Sequence, residues 1–229
     1  MDLVIFDLDD TLIDFASTRL AAYALMGELL AAEGLDAQAY LAACADIDKP
    51  LFARFERGEI TRADYRQRRF ALPFERIAHT PRDGLVEALN RLFMDCVNDT
   101  PRLHDDALPV LQALRAGGWK TAILTNGPSD GQRRKLLATG LGDAVDHVAI
   151  GEELGASKPM ARAFHHVVDQ FGLHPARALM VGDSPHLDHD AARDAGLSAW
   201  LLDRAGAHQG SGRDCIASLH DILPRLGRG

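Results

Sequence analysis

The sequence predicts an α/β fold, a doubly wound parallel sheet of at least five strands with a helical domain inserted after the first strand. Three observations lead there. The chain opens on a short apolar, β-branched run that passes directly into Asp7. Residues 15–100 carry helical periodicity and no alternating strand pattern. From Pro101 onward, short apolar runs alternate with helical stretches, the rhythm of parallel strands joined by helical crossovers.

The opening run, Leu3 to Phe6, is too short for a helix and apolar throughout, as a strand buried on both faces should be. In the insert, Leu20, Tyr23, Ala24, Gly27, Leu30 and Ala31 recur at helical spacing until Gly34 stops them. A second helical stretch covers residues 37–55, with an interruption expected near Pro50, and Gly58 separates it from a third that Thr61 opens. Thr61 with Asp64 makes an approximate capping box, Asp standing where Glu or Gln is usual. Leu85, Ala88, Leu89, Leu92, Phe93, Cys96 and Val97 mark a fourth helix. Beyond the insert, a helix over residues 105–116 ends at Gly117-Gly118, and His104-Asp105-Asp106 is expected to cap its start. A strand over 121–124, a helix over 129–139 and a weaker strand over 147–150 follow. Pro159 begins a helix whose Met160, Ala163, Phe164, Val167, Val168 and Phe171 share one face, and Gly172 closes it. The last strands expected are 178–181 and 199–202. Gly206, Gly210 and Gly212 read as a loop, since no acidic partner or opening helix follows them. The domains expected are therefore a core of residues 1–14 and 101–229, and a helical cap of residues 15–100.

Composition narrows the function. A chain of 229 residues has room for one large domain, or for a core with a smaller insert. Its net charge of −8 disfavours a nucleic-acid polymer as partner, because that binding rests on a basic surface. Between Lys49 and Arg76, however, eight Lys and Arg face four Asp and Glu, which fits either a solvated helix face or a surface that draws anions. Cys44, Cys96 and Cys215 form no Cys-x-x-Cys pair, which argues against a zinc site or disulfide framework and for buried thiols. No window approaches 18 uncharged apolar residues and the chain starts directly on a strand, so the expectation is a cytoplasmic protein without membrane span or secretory signal.

The chemistry gathers where strands end. Asp7, Asp9 and Asp10 place three acids in four residues at the carboxyl edge of the first strand, where open α/β sheets keep their ligand crevices. Such acids repel one another unless a hard cation such as Mg²⁺ sits among them; the stretch also fits an Asp-rich turn. Two further strands end alike, one in Thr125-Asn126-Gly127, whose turn amides can face an anion, the other in Gly182-Asp183-Ser184 with Asp188 and Asp190 close behind. Between them, Lys158 stands at a helix start, where the helix dipole disfavours a cation and an anionic ligand would favour one. His186 and His189 read as surface residues of an exposed helix start, and Asp190 as facing solvent or supporting its neighbours.

Asp7-Leu8-Asp9-Asp10-Thr11, Thr125-Asn126-Gly127, Lys158-Pro159 and Gly182-Asp183-Ser184 with Asp188 resemble, in order, the four motifs of the haloacid dehalogenase (HAD) superfamily, specifically its phosphatases. The resemblance spans the chain and implies a Rossmann-like core whose first strand lies between those bearing the second and fourth motifs. It implies that Asp7 is the nucleophile and forms an aspartyl-phosphate. Asp9 would protonate the leaving oxygen and then activate water. Thr125, an N–H of Asn126 or Gly127, and Lys158 would hold the phosphoryl oxygens, while Asp7, the Asp9 carbonyl, Asp183 and Asp188 would hold Mg²⁺. The substrate implied is a small-molecule phosphomonoester. Within the insert, Asp48-Lys49-Pro50-Leu51-Phe52 followed by Phe55, Gly58, Ile60 and Thr61 is similar to the cap of bacterial house-cleaning nucleotide 5′-monophosphatases acting on pyrimidine nucleotides. Lys49 could then draw an anionic nucleotide, and Phe52 or Phe15 could stack on a base, although Phe52 and Phe55 also fit as packing between cap helices. Competing readings are a phosphatase of sugar or other metabolite phosphates, a phosphoglucomutase-like phosphotransferase, a haloacid dehalogenase, which the acid at Asp9 disfavours, and a non-catalytic phosphate-binding relative, which would need no nucleophile.

Overall fold

The computed structural model describes residues 1–227. The chain forms two compact units: Met1–Phe15 with the chain from Pro101 onward, and Ala16–Thr100.

Strand β1 (Leu3–Phe6) is followed by helix α1 (Phe15–Ala32) and then by α2 (Ala37–Glu56), whose first turn is capped by the Asp36 carboxylate accepting from the Ala39 N–H at 3.0 Å. Contrary to the sequence expectation, α2 runs through Pro50 unbroken. Tyr40, Ala43, Cys44 and Leu51 are buried on either side of the proline. Burial worth about 1.5–3 kcal/mol for each large side chain offsets the roughly 3 kcal/mol that an internal proline costs. Helix α3 (Arg62–Arg76) opens on the expected capping box: the Asp64 N–H donates to Thr61 Oγ1 at 3.1 Å and the Thr61 N–H to Asp64 Oδ2 at 3.2 Å. The Tyr40 hydroxyl donates to the Phe70 carbonyl at 2.7 Å and ties α2 to α3. Helix α4 (Leu85–Asp99) buries Leu85, Leu89, Phe93 and Val97 at every fourth position. Arg69 is buried beneath them, its guanidinium 4.5 Å from the Phe93 ring centre and donating to Asn90 Oδ1 at 2.9 Å.

The remaining elements are α5 (Ala107–Ala116), β2 (Lys120–Thr125), α6 (Ser129–Thr139), α7 (Leu141–Ala144), β3 (His147–Ile150), α8 (Gly151–Leu154), α9 (Ala161–Gln170), β4 (Ala178–Gly182), α10 (Ala191–Asp194), β5 (Ser198–Leu202), β6 (Cys215–Ile216) and α11 (Ile222–Leu226). A π-helical turn, Pro185–Asp190, links β4 to α10. The six strands form one parallel sheet in the order β3-β2-β1-β4-β5-β6. β6 escapes sequence periodicity because it is two residues long. Side chains alternate between faces as the pleat requires: Val4 and Phe6 pack with α5 and α11, Leu3 and Ile5 with α9 and α10. All four β1 side chains are fully buried, which is why the run is apolar without alternation.

Register decides what shares the carboxyl edge. Phe6 pairs with Ile123 on one side and Val181 on the other, so Asp7, Thr125 and Gly182-Asp183 emerge side by side. The Asp7 N–H continues the ladder onto the Val181 carbonyl at 3.0 Å.

The expected side-chain cap on α5 does not form. Asp106 is buried and instead accepts from Arg204 Nη2 and Nη1 at 2.8 and 2.9 Å, from Ser218 Oγ at 2.8 Å and from the Leu219 N–H at 3.0 Å. A buried carboxylate needs more donors than one exposed amide supplies, and the guanidinium fork provides two at once.

Candidate active site

After β1 the chain turns sharply: Asp10 takes a left-handed φ of 61°, which Asp tolerates better than most residues, and the N–H groups of Leu12 and Ile13 return to the Leu8 carbonyl. The turn leaves Asp7 buried and Asp9 partly open. Lys158, 4% exposed, bridges two acids, its Nζ lying 2.6 Å from Asp7 Oδ1 and 2.6 Å from Asp188 Oδ1. Asn126 fixes that lysine from below: its Nδ2 donates to the Lys158 carbonyl at 2.7 Å and its Oδ1 accepts from the Lys158 N–H at 2.8 Å. The amide side chain of the Thr-Asn-Gly turn therefore serves the loop bearing the lysine.

Asp183 and Asp188 complete the cluster. Carboxylate oxygens of Asp7, Asp183 and Asp188 all lie within 4.8 Å of one another. The wide π turn lets the Asp188 and His189 N–H groups both reach the Ser184 carbonyl, and returns Asp188 Oδ2 to accept from the Ser184 N–H at 2.9 Å. Gly182 is glycine for this reason, because a Cβ there would lie 2.3 Å from the Asp188 carboxylate. The same turn carries His189 inward, so the reading of His189 as a surface residue is corrected: it is buried, with Nδ1 2.9 Å from Asp190 Oδ1, while His186 is exposed. Asp190 in turn is gripped by Arg213 Nε and Nη2 at 2.9 and 2.6 Å, which pins the turn to the loop before β6.

Electrostatics follow from this crowding. Burial pushes the Asp7 carboxyl well above the usual range; Lys158 works against the shift, and Asp188 and Asp183 add to it. Burial, then Asp188 and Asp10, raise Asp183 to about 7. Burial opposes the Lys158 ammonium, but Asp188 and Asp7 outweigh it and hold its pKa above the ordinary lysine value. Three carboxylates facing one ammonium leave two negative charges uncompensated, the balance that one divalent hard cation restores, and an all-oxygen donor set is what Mg²⁺ takes. The residues present thus fit the ion.

Asp9 is arranged differently. Its carboxylate is not in the cluster of three; both oxygens accept from Lys135 Nζ, at 2.6 and 2.8 Å, and Oδ2 accepts from Gln132 Nε2 at 3.0 Å. Gln132 Nε2 also donates to Thr125 Oγ1 at 2.6 Å. Gln132 and Lys135 are buried polar residues of α6 that sequence reasoning passes over. Their spacing of three, on the face that buries Leu136, was the available signal. Gly127 owes its identity to the same side chain, since a Cβ there would lie 2.3 Å from Gln132 Nε2.

In the helical unit, Lys49 is exposed on α2. Phe52 is half-buried, its ring centre 5.8 Å from that of Phe55 and 5.4 Å from that of Tyr65, so it packs among aromatics of the helical unit. Much of the basic run is engaged: Arg54 and Arg57 pair with Glu59, Arg76 with Asp46, and Arg69 is buried. Phe15, in the other unit, lies with its ring centre 4.4 Å from Lys135 Nζ. Cys44 is buried, whereas Cys96 and Cys215 are half-buried rather than enclosed as expected. No helix among the described residues is long and apolar enough to cross a membrane.

A six-stranded parallel sheet with an acid-lined carboxyl edge, a buried lysine between two of the acids and a helical stretch inserted in the sequence after the first strand defines a class of α/β hydrolases. The comparisons identify the family. A model of the haloacid dehalogenase-like hydrolases matches residues 1–196, and the chain belongs to that family of enzymes. It is 31% identical over 226 residues to the pyrimidine 5′-nucleotidase YjjG of Escherichia coli, covering 96% of each chain. It is 28% identical to a glyceraldehyde 3-phosphate phosphatase of Methanopyrus kandleri, over 90% of this chain and 85% of that one. Among solved structures, the HAD-hydrolase YfnB of Bacillus subtilis superposes with a TM-score of 0.82 at 23% identity, over 99% of this chain and 98% of the other.

Proposed function

We propose that the protein is a Mg²⁺-dependent phosphomonoesterase working through a phosphorylated Asp7. The observation that carries this reading is the Asp7 carboxylate itself, buried at a strand end, held at one oxygen by Lys158 and grouped with Asp183 and Asp188. A structural ion pair would need one acid; three around one lysine leave negative charge that a further cation would balance. Asp7, Asp183 and Asp188 would hold the ion, with the Asp9 carbonyl. When bound, Mg²⁺ supplies the positive charge that lets a carboxylate approach a dianionic ester. The similarity to phosphatases and a nucleotidase, and the magnesium bound in the solved YfnB structure, support the assignment.

The chain's own residues would divide the work. Asp7 attacks phosphorus, and the ester oxygen leaves with the bonding pair and a proton from Asp9. Water, giving a proton back to Asp9, then releases phosphate from Asp7. Lys158, the Thr125 hydroxyl and the turn amides of Asn126 and Gly127 meet the equatorial oxygens where charge accumulates. Within this class we propose nucleoside 5′-monophosphates, pyrimidine ones above all, as substrates, acted on in the cytoplasm. The similarity to the E. coli nucleotidase runs through the helical insert as well as the core, and Lys49 offers an exposed cation there. Phosphate release from a panel of phosphomonoesters, with and without Mg²⁺, tests the reaction. Trapping a hydroxylamine-labile phosphoryl group on Asp7 tests the intermediate. Release that persists without Mg²⁺, or a label on another residue, would overturn the proposal.

A further inference from the structure

The second acid of the site is held by two buried side chains that no motif of the sequence assigns. Lys135 and Gln132 are 4% and 1% exposed, so their polar groups answer to internal partners. Removing an ammonium from water is expensive, and it is tolerated only where a counter-charge is fixed beside it. That partner is Asp9, whose side chain keeps 27% of its surface open while that of Lys135 keeps 6%. Phe15 closes the other side of the ammonium.

The donor inventory makes the arrangement directional. A carboxylate has about four lone-pair positions. On Asp9, Lys135 takes one on each oxygen and Gln132 takes the second on Oδ2. One position is left, on Oδ1. The carboxylate also fixes the amide of Gln132, because only its NH₂ end can face an acceptor. With one N–H spent on Asp9, the other donates to Thr125 Oγ1, and the Thr125 hydroxyl hydrogen must then point elsewhere. Gly127 clears the space in which this amide sits.

We infer that Gln132 and Lys135 are positioning residues of the reaction: together they present Asp9 Oδ1 as the single proton-carrying position, and Gln132 turns the Thr125 hydroxyl outward as a donor to a phosphoryl oxygen. The inference rests on the phosphomonoesterase reading of Asp9. In the step concerned, the P–O ester bond breaks as the bond from phosphorus to Asp7 forms, and the departing oxygen keeps the electron pair and takes the proton from Asp9 Oδ1. A misplaced Asp9 therefore harms poor leaving groups, which need that proton, far more than good ones.

The experiment compares kcat/KM for p-nitrophenyl phosphate, whose phenolate leaves without help, with kcat/KM for a primary alkyl phosphate. This quantity reports the steps up to departure of the leaving oxygen. Lys135→Met should lower the alkyl value at least about tenfold, a tenth or less of what general acid catalysis supplies, and leave the p-nitrophenyl value within about threefold, whereas Gln132→Glu, which also turns the Thr125 hydroxyl away from the phosphoryl group, should lower both values and the alkyl one about tenfold further. Lys135→Arg, which keeps the charge, should restore most of the alkyl activity. Should Lys135→Met fail to fold, the isosteric Gln132→Glu reads the same ratio. Equal losses on both substrates, while Asp9→Asn still discriminates between them, would overturn the inference and leave the role of Asp9 standing. If Asp9→Asn itself fails to discriminate, the reading of Asp9 as proton donor falls.

Discussion

Asp106→Asn should destabilise the core unit by an amount that the structure sets and that acid should erase. Burial pushes the Asp106 carboxyl up, but hydrogen bonds from Arg204, Ser218 and the Leu219 N–H outweigh it and hold the pKa at about 2. An unfolded Asp titrates near 3.9, and each unit of difference is about 1.36 kcal/mol, so the charged carboxylate contributes about 2.5 kcal/mol at pH 7. Valuing its four hydrogen bonds separately at the usual worth of charged bonds gives several times more, but that sum omits the burial cost already contained in the pKa. The lower figure decides. Because the folded pKa lies below the unfolded one, this stability is fully present above the unfolded value and is lost as pH falls through 2. Urea titrations of both proteins should differ by about 2.5 kcal/mol at pH 7 and by roughly half of that at pH 3, and Tm at pH 7 should fall by about 5–10 °C. A difference below about 0.5 kcal/mol at pH 7, or one that stays constant down to pH 3, would refute the argument. The substitution also reaches the site, since Arg204 Nη2 donates to the Thr11 carbonyl at 3.2 Å and Thr11 Oγ1 accepts from the Asp183 N–H at 3.2 Å.

Asp7→Asn should abolish phosphate release while keeping the fold, because it removes one of three crowded acids and preserves shape; circular dichroism and Tm check the fold, and residual turnover above about one per cent refutes the nucleophile. A chelator should stop turnover and Mg²⁺ restore it, with Ca²⁺ a poor substitute because it takes more oxygen ligands in a looser geometry and would hold the Asp7 carboxylate less strictly in line for attack. Asp183→Ala should raise the Mg²⁺ concentration for half-maximal activity more than Asp188→Ala does, since both Asp188 oxygens already accept from protein donors; the reverse order would move the main ligand to Asp188. In a substrate panel, pyrimidine nucleoside monophosphates should be hydrolysed with higher kcat/KM than hexose or triose phosphates, and Lys49→Ala should lower that value for nucleotides more than for p-nitrophenyl phosphate. Preference for a triose phosphate would sink the substrate reading and leave the phosphatase standing.

What the sequence displayed, and what it hid, follow from distance along the chain. β1, β2 and β4 were visible because burial on both faces forces an uninterrupted apolar run, and their terminal acids and amides stood next to that run. The Thr61–Asp64 box was visible because its two bonds close within three residues. Helix α2 misled at Pro50, since a local breaker was overruled by packing from buried side chains on both sides. His189 misled because what reads as an exposed helix start is a π turn that carries its side chain inward.

The support of Asp9 was hidden for a stronger reason. Lys135 lies 126 residues from Asp9 and sits in Gln132-Arg133-Arg134-Lys135, a run that by composition reads as solvated. Of those three basic residues, Arg133 pairs with Glu153 on the exposed side, whereas Lys135 turns inward to the acid. Nothing in the run itself distinguishes them. The distinction comes from α6 phase, which puts Lys135 three residues beyond Gln132 and adjacent to buried Leu136, and from the sheet order, which sets β2 beside β1 and so lays the helix after β2 against the turn after β1. A buried lysine with no acid in reach would cost several kcal/mol, so this phase commits the chain to a carboxylate at that edge. The acid that the motif places at residue 9 is thus also the one that the packing of α6 requires, and a Lys135 variant that gained stability from Asp9→Asn would show the two demands to be one.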